Sequence, residues 1–159
     1  MLHVVLYQPE IPPNTGNIAR LCAATGSILH LVGKLGFSLD DKHLKRAGLD
    51  YHELTSVTHY RDWSYYLEQN KGQRIWAFST RGRRRYCEGR FTSGDALLFG
   101  PETRGLPDSI LRKYTDATYH IPITSAIRSL NLSTVAGIAL FESLRASEPF
   151  HGWPAKPRE

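Results

Sequence analysis

Short apolar stretches alternate with helical stretches along most of the chain, and this alternation restricts the fold more than any other feature. His3–Tyr7 is rich in β-branched and aromatic residues, which predicts a strand. From Asn14 to Gly26 apolar side chains recur at helical spacing, and Ile28–Val32 returns to a strand pattern. Strands that alternate with helices build a mostly parallel sheet with helices on both faces. The sequence therefore predicts an α/β fold with five or six strands.

The same alternation continues to residue 146. The pattern predicts strands at residues 74–79, 95–99 and 118–123, and helices at about 40–47, 62–69, 107–114 and 130–146; it leaves 54–59 open between strand and loop. A chain of 159 residues is the size of one domain, so we expect a single domain over residues 1–146 and a proline-containing tail over 147–159.

Composition excludes several protein classes. No apolar run is long enough to span a membrane, and the N-terminus has neither a basic leader nor an adequate hydrophobic region, so we expect a cytoplasmic protein. The two cysteines, Cys22 and Cys87, are too few for a disulfide framework. The seven histidines show no metal-ligand spacing, and we expect no metal.

The charge favours a polyanionic partner. Twenty Lys and Arg residues stand against fifteen Asp and Glu residues, a formal net charge of +5, and basic side chains bind phosphates with release of counterions. Two groups are candidate contacts to a nucleic-acid backbone: Lys42 with Arg46 on one predicted helix face, and Arg81, Arg83 and Arg84. The alternative for both is an ordinary solvated face.

Three predicted strands end in loops of small, polar and turn residues, at 79–82, 100–105 and 122–125. In open α/β sheets the ligand crevice lies beyond the carboxyl ends of the strands, where such loops meet. Gly100 permits a close approach of backbone to a ligand. The sequence lacks a dinucleotide glycine motif, a phosphate-binding Gly-Lys-Ser/Thr loop and a Gly-x-Ser-x-Gly elbow, so it favours a cofactor pocket of another kind. Taken singly, each loop is more often an ordinary connection than a ligand site.

Several polar residues near these loops have two interpretations. Ser129 and Asn131 stand where the last loop enters the long helix, and each is a helix cap, a ligand contact or both. Asn14 and Asn17 present the same choice at the first helix. Glu102 and Arg104 are opposite charges in one tight loop, and we expect an ion pair that shapes it.

Three ordered stretches resemble the motifs of the SPOUT superfamily of RNA methyltransferases: 14–20 (NTGNIAR), 98–106 (LFGPETRGL), and 121–122 (IP) with 128–133 (RSLNLS). Residues 48–52 (GLDYH) resemble the small subfamily that methylates the tRNA wobble ribose and that lacks an added RNA-binding domain. The resemblance implies a deep trefoil knot in the C-terminal half, a homodimer and the cofactor S-adenosylmethionine. The implied substrate is the anticodon stem-loop, with the wobble cytidine or uridine of leucine tRNAs as the target.

The resemblance also implies roles for individual residues. Arg20 matches the arginine that the family places at the reacting ribose, and Ser129 and Asn131 complete the implied catalytic set. Phe78 stands where leucine is expected and keeps an apolar wall for the adenine. The implied cofactor contacts are Phe78, Thr80, Gly100, Glu102, Ile121, Ile123, Ser129 and Leu130. The implied tRNA contacts are Asn14, Asn17, Arg20, Lys42, Arg46, Arg81, Arg83 and Arg84.

A guanidinium stays protonated in proteins, so we expect Arg20 to bind the adjacent phosphate and stabilise a developing alkoxide rather than act as a base. In the implied dimer, Arg20 of one subunit serves the cofactor of the other. Two alternatives remain open: a 2′-O-methyltransferase for another tRNA position or for ribosomal RNA, and a non-catalytic RNA-binding module of the same fold.

Overall fold

The computed structural model describes residues 1–38 and 57–147, and within them the chain forms one seven-stranded sheet whose paired strands are all parallel. The predicted α/β class is confirmed, with one strand more than expected. The additional strand is Arg84–Arg85, which is only two residues long. The strands are β1 (His3–Tyr7), β2 (Ile28–Val32), β3 (Val57–Tyr60), β4 (Ile75–Phe78), β5 (Arg84–Arg85), β6 (Ala96–Phe99) and β7 (Thr118–His120).

Helices cover both faces of the sheet and enclose two cores. One core holds the buried side chains of the two long helices, Pro12–Thr25 and Leu132–Ala146, and the other holds Tyr66 and Ile110 of two shorter helices. Alternate residues of the central strands point to opposite faces, so Leu97 enters the first core and Leu98 the second. The α-helices of the described residues are α1 (Pro12–Thr25), α2 (Trp63–Gln69), α3 (Asp108–Lys113) and α4 (Leu132–Ala146).

Prolines explain where two elements depart from the predicted bounds. Helix α1 begins at Pro12, two residues before the predicted start, because the fixed φ of proline suits a first helical turn. Strand β7 ends at His120 rather than at 123, since Pro122 has no N–H to donate to a ladder. The segment that the sequence pattern left open contains a strand, β3.

The order of the strands brings the three candidate loops together. Across the sheet the order is β3-β2-β1-β6-β4-β7-β5. Strands β6, β4 and β7 are therefore neighbours, and because they are parallel their carboxyl ends lie at one edge. Strand β1 lies next to β6, so the residues that follow β1 reach the same edge.

Strand β7 lies between β4 and β5 in the sheet, although both β4 and β5 precede it in the sequence. Gly82, in the connection between those two strands, packs directly on the β7 backbone: a Cβ atom there would lie 2.4 Å from the carbonyl carbon of Tyr119. A strand inserted beneath an earlier connection is what the implied trefoil knot requires. The knot itself stays a prediction.

Some expectations fall on residues outside the described ranges. These are the helix predicted at 40–47, with Lys42 and Arg46, and the tail beyond Ser147. Among the described helices, none combines the length and the apolar character needed to cross a bilayer.

Candidate functional site

The three loops meet around a cavity of about 630 Å³ at the carboxyl edge of the sheet. A volume of this size is typical of pockets that hold small molecules and cofactors. The convergence expected from the sequence is confirmed, because the wall includes residues 79–81, 100–105, 121, 123 and 128–131. The residues proposed as cofactor contacts all line it: Phe78, Thr80, Gly100, Glu102, Ile121, Ile123, Ser129 and Leu130.

The cavity has apolar walls and a polar rim. Ile121, Ile123 and Leu130 are only half-buried, so they present apolar surface that a planar ring system would cover. Phe78 forms a deeper wall; its ring stacks on Phe99 with centroids 5.1 Å apart and is 5% exposed. The walls are therefore suited to a nucleobase, with polar groups of the loops left for the rest of a ligand.

Glycines let the 100–105 loop close on itself. Gly100 follows β6 directly, and a Cβ atom there would lie 2.3 Å from the backbone nitrogen of Leu106. Gly105 has a φ of 68°, in the left-handed region that side chains disfavour. The tight return of the loop keeps the backbone near Gly100 next to the cavity.

Glu102 receives three hydrogen bonds from the segment around the start of α1. The backbone N–H groups of Glu10 and Ile11 donate to its carboxylate at 2.8 and 3.2 Å, and the side chain of Asn14 donates at 3.0 Å. The expected ion pair with Arg104 is wrong: among the described residues, Arg104 pairs with Glu10 at 3.7 Å instead. Strands β1 and β6 are neighbours, so the segments that follow them lie side by side. Glu10 and Glu102 therefore each bind residues of the other segment rather than of their own.

Asn131 joins this network from the third loop. Its Nδ2 donates to Asn14 Oδ1 at 2.9 Å, which makes a continuous chain from Asn131 through Asn14 to Glu102. Its Oδ1 also accepts from the N–H groups of Ser133 and Thr134, so the predicted cap of the last helix is confirmed. Side chains from three separate motifs thus hold one another at the cavity.

For Asn14 and Asn17, the structure excludes the capping alternative. Ile11 occupies the N-cap position of α1 without a side-chain hydrogen bond, and Asn14 and Asn17 both lie within the helix. Asn14 is 5% exposed and turned toward the network, whereas Asn17 is exposed. An RNA contact stays a prediction for both.

The residues that follow β1 are a part of the site that the sequence interpretation missed. The Glu10 carboxylate accepts from the N–H of Thr103 at 3.0 Å and from its hydroxyl at 2.8 and 2.9 Å. These hydrogen bonds, together with the nearby Arg104, hold the pKa of Glu10 below its usual value. Gln8 accepts a hydrogen bond from Arg104 at 2.7 Å. The signal was available, because polar residues follow β1 as they follow β4, β6 and β7.

Arg20 does not line the cavity. It lies in α1 on an exposed position, and the wall of the cavity is formed by other residues of the same chain. In the described part of a single chain, the predicted catalytic arginine is therefore separate from Ser129 and Asn131, which do line the cavity.

The predicted basic contacts are divided between two environments. Arg81 lines the cavity, and it is tied down by an ion pair with Asp108 at 2.7 Å and a hydrogen bond to the carbonyl of Leu106. Arg83 and Arg84 are exposed at β5, on the far edge of the sheet. Within residues 1–38 and 57–147, no three His, Cys, Asp or Glu side chains are grouped in a way that suits a metal ion.

Comparisons with known proteins agree with one another. A family model described as the SpoU rRNA Methylase family matches residues 1–141. The tRNA (cytidine(34)-2'-O)-methyltransferase of Escherichia coli K12 is 49% identical over 146 residues, which are 91% of this chain and 93% of that protein.

Two solved structures extend the comparison. One, described as giving structural insights into the 2-OH methylation of C/U34 on tRNA, has a TM-score of 0.86 at 48% identity and covers 92% of this chain and 95% of its own. A SpoU methyltransferase from Streptomyces viridochromogenes, in complex with the cofactor AdoMet, has a TM-score of 0.77 at 26% identity; the match covers 91% of this chain and 60% of that one.

Proposed function

The chain belongs to the SpoU rRNA methylase family, and on that basis we propose that it methylates the ribose 2′-hydroxyl of nucleotide 34 in tRNA, using S-adenosylmethionine. The resemblance to SPOUT methyltransferases that the motifs indicated is confirmed by this membership. The observation that carries the proposal is the hydrogen-bonded chain Asn131–Asn14–Glu102, which joins three motifs beside one cavity. The proposed target is the wobble cytidine or uridine in the anticodon stem-loop, and the proposed setting is the cytoplasm.

The residues of the cavity fit the proposed cofactor. Half-buried Ile121, Ile123 and Leu130 offer an apolar surface for the adenine, and the loop backbone around Gly100 offers hydrogen-bonding groups for its edge. When bound, S-adenosylmethionine supplies an activated methyl group. The protein supplies position, since holding two reactants in attack geometry replaces a bimolecular encounter.

The ribose hydroxyl must become a better nucleophile and lose its proton. We assign Arg20 to a phosphate next to the target ribose, where its fixed positive charge also stabilises a developing alkoxide. A guanidinium cannot take the proton, so the proton leaves to water or phosphate. Asn131 and Ser129 are proposed to orient the ribose at the mouth of the cavity.

We further propose a homodimer in which Arg20 of one subunit completes the site of the other. Two observations support it: Arg20 lies outside the cavity of its own chain, and α4 leaves Phe141 48% exposed despite its apolar character. Co-expressing Arg20→Ala chains with Ile123→Arg chains tests the arrangement, because Ile123→Arg places a charge in the cavity. Each variant alone should be inactive, and the mixture should regain about a quarter of wild-type activity, since half the dimers then hold one complete site. No recovery would show that Arg20 acts within its own chain.

The function itself is tested by methyl transfer to total tRNA. Wild-type protein should methylate nucleotide 34, and Arg20→Ala and Asn131→Ala should each lower the rate. Nuclease digestion with mass spectrometry locates the methyl group; a product at another tRNA position or in ribosomal RNA would contradict the wobble assignment. Calorimetry with S-adenosylmethionine separates the enzyme from a non-catalytic RNA-binding module, which would release no heat.

A further inference from the structure

A second groove, of about 380 Å³, lies next to the cofactor cavity. Arg81, Arg104, Gly105 and Leu106 line both spaces and form the boundary between them. The second groove is also lined by the last residue of β1 and the residue after it, Tyr7 and Gln8, and by Pro107 and Asp108 at the start of α3. It is large enough for one nucleotide.

The two arginines of this boundary differ in how many hydrogen bonds their N–H groups donate within the protein. Arg81 donates to the Asp108 carboxylate at 2.7 Å and to the Leu106 carbonyl at 3.2 Å. Arg104 donates to the neutral amide of Gln8 at 2.7 Å, and its distance of 3.7 Å to the Glu10 carboxylate is too long for a hydrogen bond. A guanidinium carries five N–H donors. The Arg104 side chain is 62% exposed, and within the described residues its hydrogen bond is the one to Gln8.

The groups that hold Arg104 are themselves fixed. Gln8 has a φ of 48°, a left-handed conformation, and its N–H donates to the Val32 carbonyl at 2.8 Å. Gly33 makes room for the Gln8 side chain: a Cβ atom there would lie 2.9 Å from Gln8 Cγ. Non-glycine residues persist in this conformation only where their surroundings hold them, and they cluster at ligand sites.

We propose that Arg104 binds a phosphate of the substrate RNA strand beside the methylated nucleotide, with Gln8 and Glu10 as its positioning residues. The inference rests on the proposed function. A planar guanidinium pairs with two phosphate oxygens at once, and its position between the two spaces suits the phosphate that links the target nucleotide to its neighbour. The neighbouring nucleotide then occupies the second groove. The cofactor carboxylate is the competing anion, but Arg104 also borders a groove that lies outside the proposed cofactor contacts.

Steady-state methyl transfer to an anticodon stem-loop RNA at saturating S-adenosylmethionine tests the contact. Arg104→Gln should raise the KM for RNA about tenfold and change kcat much less, because the lost contact binds the phosphate equally well in the ground state and in the transition state. The slope of log KM against log salt should fall by about one, as expected for one phosphate contact. Lys71→Gln removes a positive charge from an exposed turn before β4, at the opposite edge of the sheet, and should leave both quantities unchanged.

Two further variants separate charge from position. Arg104→Lys keeps the charge without the planar fork, so it should keep the salt slope and recover part of the RNA affinity. Gln8→Ala keeps the Arg104 charge but removes its holder, so it should raise KM less than Arg104→Gln does. Thermal unfolding of the two Arg104 variants should match wild type, because the Arg104 side chain is exposed.

An unchanged KM and salt slope in Arg104→Gln would overturn the proposal. So would a weaker S-adenosylmethionine Kd with an unchanged RNA KM, which would assign Arg104 to the cofactor carboxylate. If wild-type protein methylates no tRNA, the proposed function fails separately. Stem-loop binding, measured by fluorescence anisotropy with S-adenosylhomocysteine present, then still decides whether Arg104→Gln loses a phosphate contact.

Discussion

Two carboxylates stand at opposite ends of strand β6, and their surroundings differ. Asp95 directly precedes the strand, and its side chain is 3% exposed. It accepts two hydrogen bonds from the Arg74 guanidinium at 2.7 and 2.8 Å, one from the Trp76 indole at 2.7 Å and one from the Thr92 N–H at 2.8 Å. Burial alone would raise the pKa of Asp95, but these hydrogen bonds and the positive charge hold it below its usual value.

Glu102 follows the other end of β6, and among the described residues no cation pairs with it; neutral groups of the Glu10–Asn14 segment donate to it instead. The partners of Asp95 lie within about twenty residues of it, on the adjacent strand or in its own turn, whereas those of Glu102 lie 88 to 92 residues away. Asp95 therefore holds together residues at the amino edge of the sheet, whereas Glu102 links separate loops around a cavity. We therefore expect mutations at the amino edge to change stability and those at the carboxyl edge to change ligand binding as well.

The largest effect should come from Asp95→Ala. The substitution leaves the Trp76 and Thr92 donors without their acceptor and removes the countercharge of Arg74, so the free energy of unfolding should fall by about 3–5 kcal/mol. Asp108→Ala is the matched control, because it removes an aspartate at the same 2.7 Å distance from an arginine but in solvent, and it should cost far less. Urea denaturation measures both. If both variants lose the same free energy of unfolding, the burial of Asp95 adds nothing to the contribution of its ion pair.

The next effect comes from the buried His30 and its half-buried neighbour His3. His30 is 4% exposed, lies 2.8 Å from His3 and 3.1 Å from the Tyr60 hydroxyl, and packs against Tyr66; burial, aided by His3, lowers its pKa from 6.5 to about 4. Between those two values the unfolded chain binds a proton that the folded chain does not, so stability falls as the pH drops from about 6.5 to about 4.

At pH 5 this single group should lower the free energy of unfolding by about 2 kcal/mol relative to pH 7. Urea denaturation at both pH values checks it. His30→Gln removes the titration and should shrink the difference between the two pH values. If His30→Gln loses as much stability between pH 7 and pH 5 as wild type does, groups other than His30 cause the acid sensitivity. His30 lies away from the cavity. The cofactor affinity of the folded protein should therefore not change with pH in the way that stability does.

The sequence predicted the parts of the site that depend on strand direction. Strands β4, β6 and β7 were recognised from local pattern, and parallel strands necessarily end at one edge, so the meeting of their loops followed. The partner of Glu102 was predicted wrongly for a related reason. Periodicity does not give the order of strands in a sheet, and without knowing that β1 lies beside β6, Arg104 was the nearest opposite charge.

Gln8 shows a second limit of the sequence. Its left-handed backbone is set by the Val32 carbonyl and by the space above Gly33, both contacts between β1 and β2. A glutamine carries no local preference for that conformation, so only the tertiary contacts specify it. Pro122 is the opposite case, since the missing N–H that ends β7 is visible in the sequence.

Glu102→Gln should give a smaller loss of stability than Asp95→Ala but a clear loss of cofactor affinity. A glutamine side chain has one acceptor oxygen and cannot satisfy all three donors, which should lower the free energy of unfolding by about 1.5 kcal/mol. Loosening of the loop should weaken S-adenosylmethionine binding about tenfold, measured by calorimetry below the unfolding transition. Glu68→Gln, an exposed position of α2, is the control and should change neither. If Glu102→Gln leaves the Kd for S-adenosylmethionine unchanged, Glu102 contributes only to stability, as Asp95 does.

The smallest effect, and the sharpest comparison, lies within helix α1. Asn14 is buried between Glu102 and Asn131, whereas Asn17, one turn later, is exposed. Asn14→Ala should lower the free energy of unfolding by about 1 kcal/mol and weaken cofactor binding, because it breaks the chain that joins three loops. Asn17→Ala should stay within about 0.5 kcal/mol of wild type in stability and keep the cofactor Kd. Urea denaturation and calorimetry compare the pair. If both variants respond alike, the Asn14 amide contributes no more than a solvated one, and the hydrogen-bonded chain does not organise the cavity.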